Sequence, residues 1–598
     1  MQSVEHVHLL ERLSVHERSF QQQSNELSSL AAEQLGRVIT VSGSQVTVQF
    51  TSVSPDGDID VTVGSLVGVR NSESLAIGTL SDIALERIQT DDSGTSAVGR
   101  IDLLGEIVSE KSGARHFQNG IRAYPKIGNA IVRIRDEDLN IIYGFSHPHS
   151  VKIGVLQQNA AVAATVNVDE MVRKHFAIVG STGSGKSTGT ALVLRKAMEV
   201  RPDLRVLLID AHNEYSECFE DRAVLLGPDS LKLPFWLFNF DEIVQIIFGT
   251  RGRADVETAL LAELIPLAKT EYAGTRQTLR SSNSKITGQS DAGRFTVDTP
   301  APYLFENVIA LAENRMGKLE NGDLAISYQR LLMRINAARK NPRYGFIFDD
   351  GAEPSDTMID VLCEVLRVKD DERPMAIVQL AAFPSETMEV IVSALFRMAF
   401  EFGLWSNALS PLLIVCEEAH NYANADRSIG FGPAREGLSR IAKEGRKYGV
   451  FLGLVTQRPH LLDPTLVSQC STVFAMRLGH EDDQKIVRAA VSDAAGRLLA
   501  FLPSLGTREA LVIGAGVPTV TRLRFDELPP DFIPRSHAVW GRDLDAVEKI
   551  DDQLIGSIVG RWRGAASASK PLVTSPPLAE PKPEAGEMML WTAPSYRE

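Results

Sequence analysis

The spacing of apolar and polar positions changes twice along the chain. From Gly36 the period is two: Val46, Val48 and Phe50 alternate with Thr47 and Gln49, directly after the turn signal Ser42-Gly43-Ser44. Further short runs follow at Val61–Val69, Leu75–Leu80, Val98–Val108 and Ile131–Ile142, separated by Gly, Asp and Ser. Many short alternating strands with frequent turns predict a small β-barrel or sandwich over residues 36–150. The preceding residues 1–35, with leucines spaced among polar residues, predict a short helix or arm.

After Val151 the runs become continuously apolar and alternate with helical stretches: Phe176–Val179, Val206–Ile209, Ala376–Leu380, Leu412–Val415, Val450–Val455 and Thr472–Met476. Strands covered on both faces have this pattern, so residues 151–564 read as an α/β domain with a mostly parallel sheet. Residues 241–341 are mainly of helical period, with a polar interruption at Ser281–Asp291, and predict a helical insertion. The Ala-, Ser-, Pro- and Glu-rich residues 565–598 predict a disordered tail.

Composition narrows the class. The 598 residues are 44% hydrophobic and 23% charged, as in a globular protein with ample core. Four dispersed cysteines, Cys218, Cys363, Cys416 and Cys470, form no CxxC pair and read as buried apolar side chains of a reducing compartment. No run of about 18 apolar residues and no secretory leader pattern is present, which points to a cytoplasmic protein. The net charge of −14 argues against a passive nucleic-acid coat but leaves room for a locally basic path.

Gly180-Ser181-Thr182-Gly183-Ser184-Gly185-Lys186-Ser187 satisfies the G-x-x-x-x-G-K-[ST] pattern, follows an apolar strand and opens a helix from Ser187 through Arg195 to Met198, with Gly180–Thr188 the candidate nucleotide-binding stretch. In that order the loop amides and the helix N-terminus surround phosphates. Lys186 reaches the β- and γ-phosphates of a nucleotide, and Ser187 holds Mg²⁺. Hydrolysis needs more. Leu412–Val415 ends in Cys416-Glu417-Glu418, two carboxylates where strand C-termini line a ligand crevice. Glu417 is the candidate to orient the metal through a water, and Glu418 the candidate to activate the attacking water. Val450–Val455 ends in Thr456-Gln457, an amide positioned to sense the γ-phosphate, and Val206–Ile209 ends in Asp210.

The P-loop, Asp210-Ala-His-Asn-Glu-Tyr215, Glu417-Glu-Ala-His-Asn421, Lys443-Glu-Gly-Arg-Lys-Tyr-Gly449 and Thr456-Gln-Arg-Pro459 occur in this order. Together they resemble the HerA family of hexameric DNA-pumping ATPases within the HerA/FtsK superfamily. Phe117-Gln-Asn-Gly-Ile-Arg-Ala-Tyr-Pro125 resembles the small barrel preceding the motor in that family. The resemblance covers roughly residues 36–530, is weakest in the helical insertion and is absent from the tail. It implies a RecA-like P-loop ATPase core using ATP and Mg²⁺, with active sites at subunit interfaces of a homo-hexamer, each completed by a neighbour's arginine. Arg440 and Arg446 are the candidates here. It also implies a basic residue just before the P-loop strand, a place held by Lys174 with Arg173 beside it. Two departures stand out: Glu417 replaces the usual aspartate, and Ala211 the usual proline after Asp210.

The resemblance further implies ATP-driven translocation on duplex DNA without base reading. The family's partners are a NurA-like nuclease in end resection, or a Sir2-like or nuclease effector in anti-phage defence. Residues 251–345 hold 14 Lys+Arg and 10 Asp+Glu, a net +4, with Arg276, Arg280 and Lys285 near the polar loop as candidates for phosphate contacts. Two other readings stay open: a ring scaffold that activates an effector, and a secretion or conjugation ATPase of the same superfamily.

Overall fold

A computed structural model describes residues 34–535 apart from 51–60, 88–94, 250–254, 281–294, 349–355 and several stretches of one to five residues, together with a few residues between 555 and 560. Most of the expected arm, all of the expected tail and the polar loop with Lys285 lie outside the described residues, as do the side chains of Arg276 and Arg280.

The first sheet comprises β1 (Gln34–Ser42), β2 (Gln45–Phe50), β3 (Leu66–Arg70), β4 (Ser74–Arg87), β5 (Thr95–Ser109), β6 (Arg115–Asn119) and β7 (Ala130–Arg133). Its order is β2-β1-β7-β3-β4-β5-β6, and β2 also pairs with β5 through Val46↔Ile101 and Val48↔Gly99. That pairing closes six strands into a barrel and leaves β6 on the outside of β5. Alternation supplies its core: Val38, Val46, Val48, Phe50, Val67, Val69, Leu80 and Ile101 are buried together.

The run Ile131–Ile142 is not one strand. It is β7 followed by a helix, α1 (Asp136–Tyr143). The backbone N–H of Arg135 donates to the Asp138 carboxylate across the first turn, and the acidic triplet Asp136-Glu-Asp138 favours a helix N-terminus. Leu139, Ile142 and Tyr143 then bury one helical face, and the apolar spacing fits that face better than it fits a strand.

The second sheet begins with β8 (Ser150–Leu156) and β9 (Ala163–Asn167), followed by α2 (Val168–Arg173), β10 (Phe176–Val179), α3 (Lys186–Val200), β11 (Arg205–Asp210) and β12 (Ala223–Leu226). Helices α4 (Phe240–Phe248), α5 (Asp255–Arg280), α6 (Phe305–Gly317), α7 (Gly322–Arg339), α8 (Gly345–Phe348) and α9 (Met358–Leu366) intervene before the sheet resumes. It continues through β13 (Met375–Gln379), α10 (Ser385–Trp405), β14 (Leu412–Glu417), α11 (Gly432–Glu444), β15 (Val450–Thr456), α12 (Pro464–Gln469), β16 (Thr472–Ala475), α13 (Glu481–Ala489), β17 (Glu509–Gly514) and β18 (Thr521–Phe525).

The strand order is β12-β13-β11-β14-β15-β10-β16-β17-β18-β8-β9. The seven strands from β12 to β16 are parallel, and the remaining four continue antiparallel. Within β10, Phe176 and Ile178 face a layer containing α3 residues, while Ala177 and Val179 face the layer of α4–α7, α10 and α11. Burial on both faces explains the unbroken apolar runs. Leu66, Ile77 and Ile107 of the barrel share the α3-side core with α1, so barrel and large sheet are packed together.

Candidate active site

Parallel registers gather the strand ends. Val179 pairs with Thr456, Glu417 with Val455, and Ile209 with Cys416, so the residues that follow β10, β11, β14 and β15 meet at one sheet edge. The P-loop leaves β10 there. Its amide Gly180 N–H donates to Thr456 O and Ser181 N–H to Arg477 O at 2.8 Å, anchoring the loop to β15 and to the chain after β16. The buried Ser184 hydroxyl donates to Ser181 O at 2.7 Å. Gly183 and Gly185 have φ of 74° and 93°, the left-handed region where a Cβ is strained. Gly185 is the N-cap of α3, no side chain caps it, and the first turn holds no acidic residue. The helix therefore keeps its first-turn N–H groups for an anion. Thr188 lies in that turn.

Three side-chain pairs define the cage. Lys186 Nζ donates to Glu418 Oε1 at 3.1 Å, with both side chains buried. Ser187 Oγ donates to Glu214 Oε2 at 2.8 Å. Thr182 Oγ1 donates to Gln457 Oε1 at 2.7 Å. Glu418 sits at φ 46°, a strained conformation that turns its side chain off the end of β14 into the site. Burial pushes the Glu418 carboxyl up, but hydrogen bonding to His420 and the adjacent Lys186 ammonium outweigh it and bring it down to about 2. His420 Nδ1 lies 3.2 Å from Glu418 Oε2 and 3.0 Å from Thr456 Oγ1.

Behind this cage, register sets Asp210 beside Glu417. Asp210 accepts the backbone N–H groups of His212, Glu214 and Tyr215 at 3.2, 3.2 and 3.0 Å. Burial and the neighbouring Asp210 carboxylate push the Glu417 carboxyl up to about 9, and burial also raises Asp210. Glu417 Oε2 is buried with no hydrogen-bond partner. A buried carboxylate oxygen left unpaired beside two further carboxylates and the Ser187 hydroxyl fits a hard divalent cation such as Mg²⁺.

Of the residues expected from the sequence, Gly180–Thr188, Asp210, Glu417, Glu418 and Gln457 converge. Lys174, Arg440 and Arg446 do not. Lys174 precedes β10 and Arg446 precedes β15, which puts them at the sheet edge opposite the P-loop of their own chain. Lys174 pairs with Glu170 at 2.5 Å, Arg446 donates to Lys174 O at 2.8 Å, and Arg440 pairs with Glu401 at 3.1 Å while stacking on Phe400. In the helical segment, Arg315 pairs with Glu263, Arg339 with Glu306 and Arg343 with Glu386, so these basic residues are already matched by carboxylates.

Three further residues join the site. Glu214 lies inside the Asp210–Tyr215 stretch. His420 lies in Glu417–Asn421. Arg508 comes from the loop before β17: its N–H donates to Ser184 O at 2.8 Å, its φ is 65°, and a Cβ on Gly185 would lie 3.2 Å from it. Nothing local marks Arg508.

A glycine loop on a helix N-terminus, a lysine–carboxylate cage and a buried acidic cluster on a parallel sheet make this chain a P-loop ATPase. Residues 151–399 match the family model for the central domain of helicase HerA. A probable helicase of Methanocaldococcus jannaschii is 26% identical over 483 residues, 79% of this chain and 84% of that protein. The DNA double-strand break repair helicase HerA of Pyrococcus furiosus is 24% identical over 513 residues, 80% and 87% of the two chains. Among solved structures, VirB4 of Thermoanaerobacter pseudethanolicus superposes with a TM-score of 0.40 at 15% identity, covering 64% of this chain and 97% of its own. The bacterial conjugative coupling protein TrwB gives 0.40 at 13%, covering 67% and 95%.

Proposed function

We propose that this ATPase is a double-stranded DNA translocase and helicase, working as a ring of six subunits. The observation that carries the chemistry is the cage itself, with Lys186 and Glu418 paired 3.1 Å apart at the mouth of the P-loop. Helicase relatives that align over about four-fifths of the chain support DNA as the track.

The side chains divide the work. First-turn amides of α3 and the loop amides bind the phosphates of ATP. Lys186 leaves Glu418 for the β- and γ-phosphates, and Glu418, released from its counter-ion, takes a proton from the attacking water. Water then adds to the γ-phosphorus as the bond to the ADP oxygen breaks. Gln457, held by Thr182, reports whether the γ-phosphate is present. Ser187, Glu417 and Asp210, with Glu214 close by, would hold Mg²⁺, which supplies charge neutralisation of the phosphates when bound. Arg440 of one subunit reaches the transferred phosphate in the next, with Arg446 and Lys174 holding the same edge.

Duplex DNA passes through the ring by backbone contacts, and the ring serves a nuclease in end processing in the cytoplasm. A Sir2-like effector in anti-phage defence uses the same motor. The test is displacement of a third strand from a DNA triplex by the purified full chain with ATP and Mg²⁺. The reading requires displacement with ATP and none with Lys186→Ala. ATP turnover that neither responds to DNA nor displaces the third strand favours the scaffold or secretion reading instead.

A further inference from the structure

Outside the nucleotide cage, among the described residues, one group of side chains brings donor atoms together in a metal-binding pattern. His460, His480 and Asp483 each place a ligand-type atom within 4.8 Å of the others. They come from two segments. His460 lies in the loop after β15, close in sequence to Gln457, while His480 is the N-cap of α13 and Asp483 lies in that helix's first turn. Asp483 is buried, and its Oδ1 accepts the backbone N–H of His460 at 3.1 Å and lies 2.7 Å from His460 Nδ1. The two imidazole rings stack with centroids 5.5 Å apart and planes 24° from parallel. His480 is exposed and makes no cap hydrogen bond; its Nδ1 has only a long contact with Asp482 Oδ2 at 3.9 Å, which a shared ion would compete with.

The donor set decides the chemistry. Two imidazoles and one carboxylate are a poor match for Mg²⁺ or Ca²⁺, which take oxygen ligands. They suit a borderline first-row ion, and three protein ligands leave a further position for water. Asp483 Oδ1 lies 2.7 Å from His460 Nδ1, so the two donors already face each other and an ion entering between them replaces that hydrogen bond. An ion here joins the loop after Gln457 to α13. We propose that His460, His480 and Asp483 form a binding site for a divalent zinc-class ion that clamps this loop.

The experiment uses the full chain freed of metal with a chelator, kept in excess Mg²⁺, and titrated with Zn²⁺ against a chromogenic competitor. Thermal unfolding is followed in parallel. The proposal expects one tight equivalent of zinc per chain and a zinc-dependent rise in Tm. His480→Ala, an exposed change, weakens that equivalent by about tenfold or more and removes the rise in Tm, whereas His149→Ala at another surface histidine leaves both intact. Co²⁺ bound to the wild-type chain and not to His480→Ala gives a visible absorption of mixed nitrogen and oxygen ligation. No tight zinc equivalent, or the same affinity in His480→Ala as in wild type, overturns the proposal.

Discussion

Lys186 and Glu418 neutralise each other, with Nζ and Oε1 3.1 Å apart and both side chains buried. Paired in this way, and brought down to about 2, the Glu418 carboxyl is a weak base. In the proposed mechanism ATP undoes the pairing by offering Lys186 a competing phosphate acceptor. Lys186→Ala is expected to weaken ATP binding by about 10- to 100-fold, the size of a lost charge-assisted hydrogen bond. It also lowers the Tm of the nucleotide-free chain, because Glu418 keeps only His420 and the Gln457 amide. Titration with a fluorescent nucleotide and thermal melting check the two effects.

Gln457 is tethered by Thr182 at 2.7 Å near the surface of the site. Gln457→Ala should change global stability by no more than about 0.5 kcal/mol, since no buried packing is lost. The kcat for ATP should fall by about tenfold or more while KM changes little, as expected for a group that acts on the γ-phosphate in the transition state. Steady-state kinetics beside a melting curve separates this from a folding defect.

Glu417, pushed up to about 9, carries a proton at neutral pH in the free site. A divalent cation favours the ionised form, so loading of Mg²⁺ with nucleotide is expected to release a proton. The sign follows: apparent Mg²⁺ affinity rises with pH toward 9. Calorimetry in buffers of different ionisation enthalpy measures the proton, and Glu417→Gln should abolish it.

His175 ties β10 to two neighbours, its buried ring donating from Nε2 to Ala442 O at 3.1 Å and accepting at Nδ1 from Leu452 N–H at 3.0 Å. Burial, then the Arg446 charge, lower its pKa to about 4 from an ordinary 6.5. Between those values the unfolded chain binds the extra proton, so stability rises with pH there. The contribution is complete above 6.5 and is lost as pH falls toward 4, up to about 3 kcal/mol. Denaturant unfolding of wild type should show this slope, and His175→Ala should flatten it.

Arg440 and Arg446 differ in what they do at home. Arg440 makes an exposed ion pair and a stacking contact, together worth about 1 kcal/mol. Arg446 secures backbone carbonyls of its own chain, Lys174 O among them. Mixing Arg440→Ala with Lys186→Ala subunits should restore ATPase activity that neither has alone, because mixed rings contain sites with both groups intact. Arg446→Ala should instead lower Tm and gain nothing from mixing.

Much of this was legible because it is local. The P-loop, the strand ending in Glu417-Glu418 and the strand ending in Gln457 each announce themselves within ten residues, and continuous apolar runs mark a sheet buried on both faces. Glu214, His420 and Arg508 were not legible as site residues. Arg508 enters only because the loop before β17 folds over Ser184 and Gly185, a contact more than 300 residues apart in sequence. The antiparallel flank was missed for a similar reason. β18 pairs with β8 across the whole length of the ATPase domain, and β18 is a five-residue alternating strand with two arginines, easily read as surface. The run after Ile131 misled because an apolar spacing of three or four was read as two, although the acidic triplet at 136–138 signals a helix start.

The central claim is that Glu418, set free by nucleotide, activates water for DNA-driven ATP turnover, and phosphate release by Glu418→Gln tests it most directly. With duplex DNA present, the account predicts wild-type release that is stimulated over the DNA-free rate. It predicts a Glu418→Gln chain that binds ATP as well as wild type but turns over about 100-fold or more slowly. Release by Glu418→Gln at the wild-type rate would contradict it.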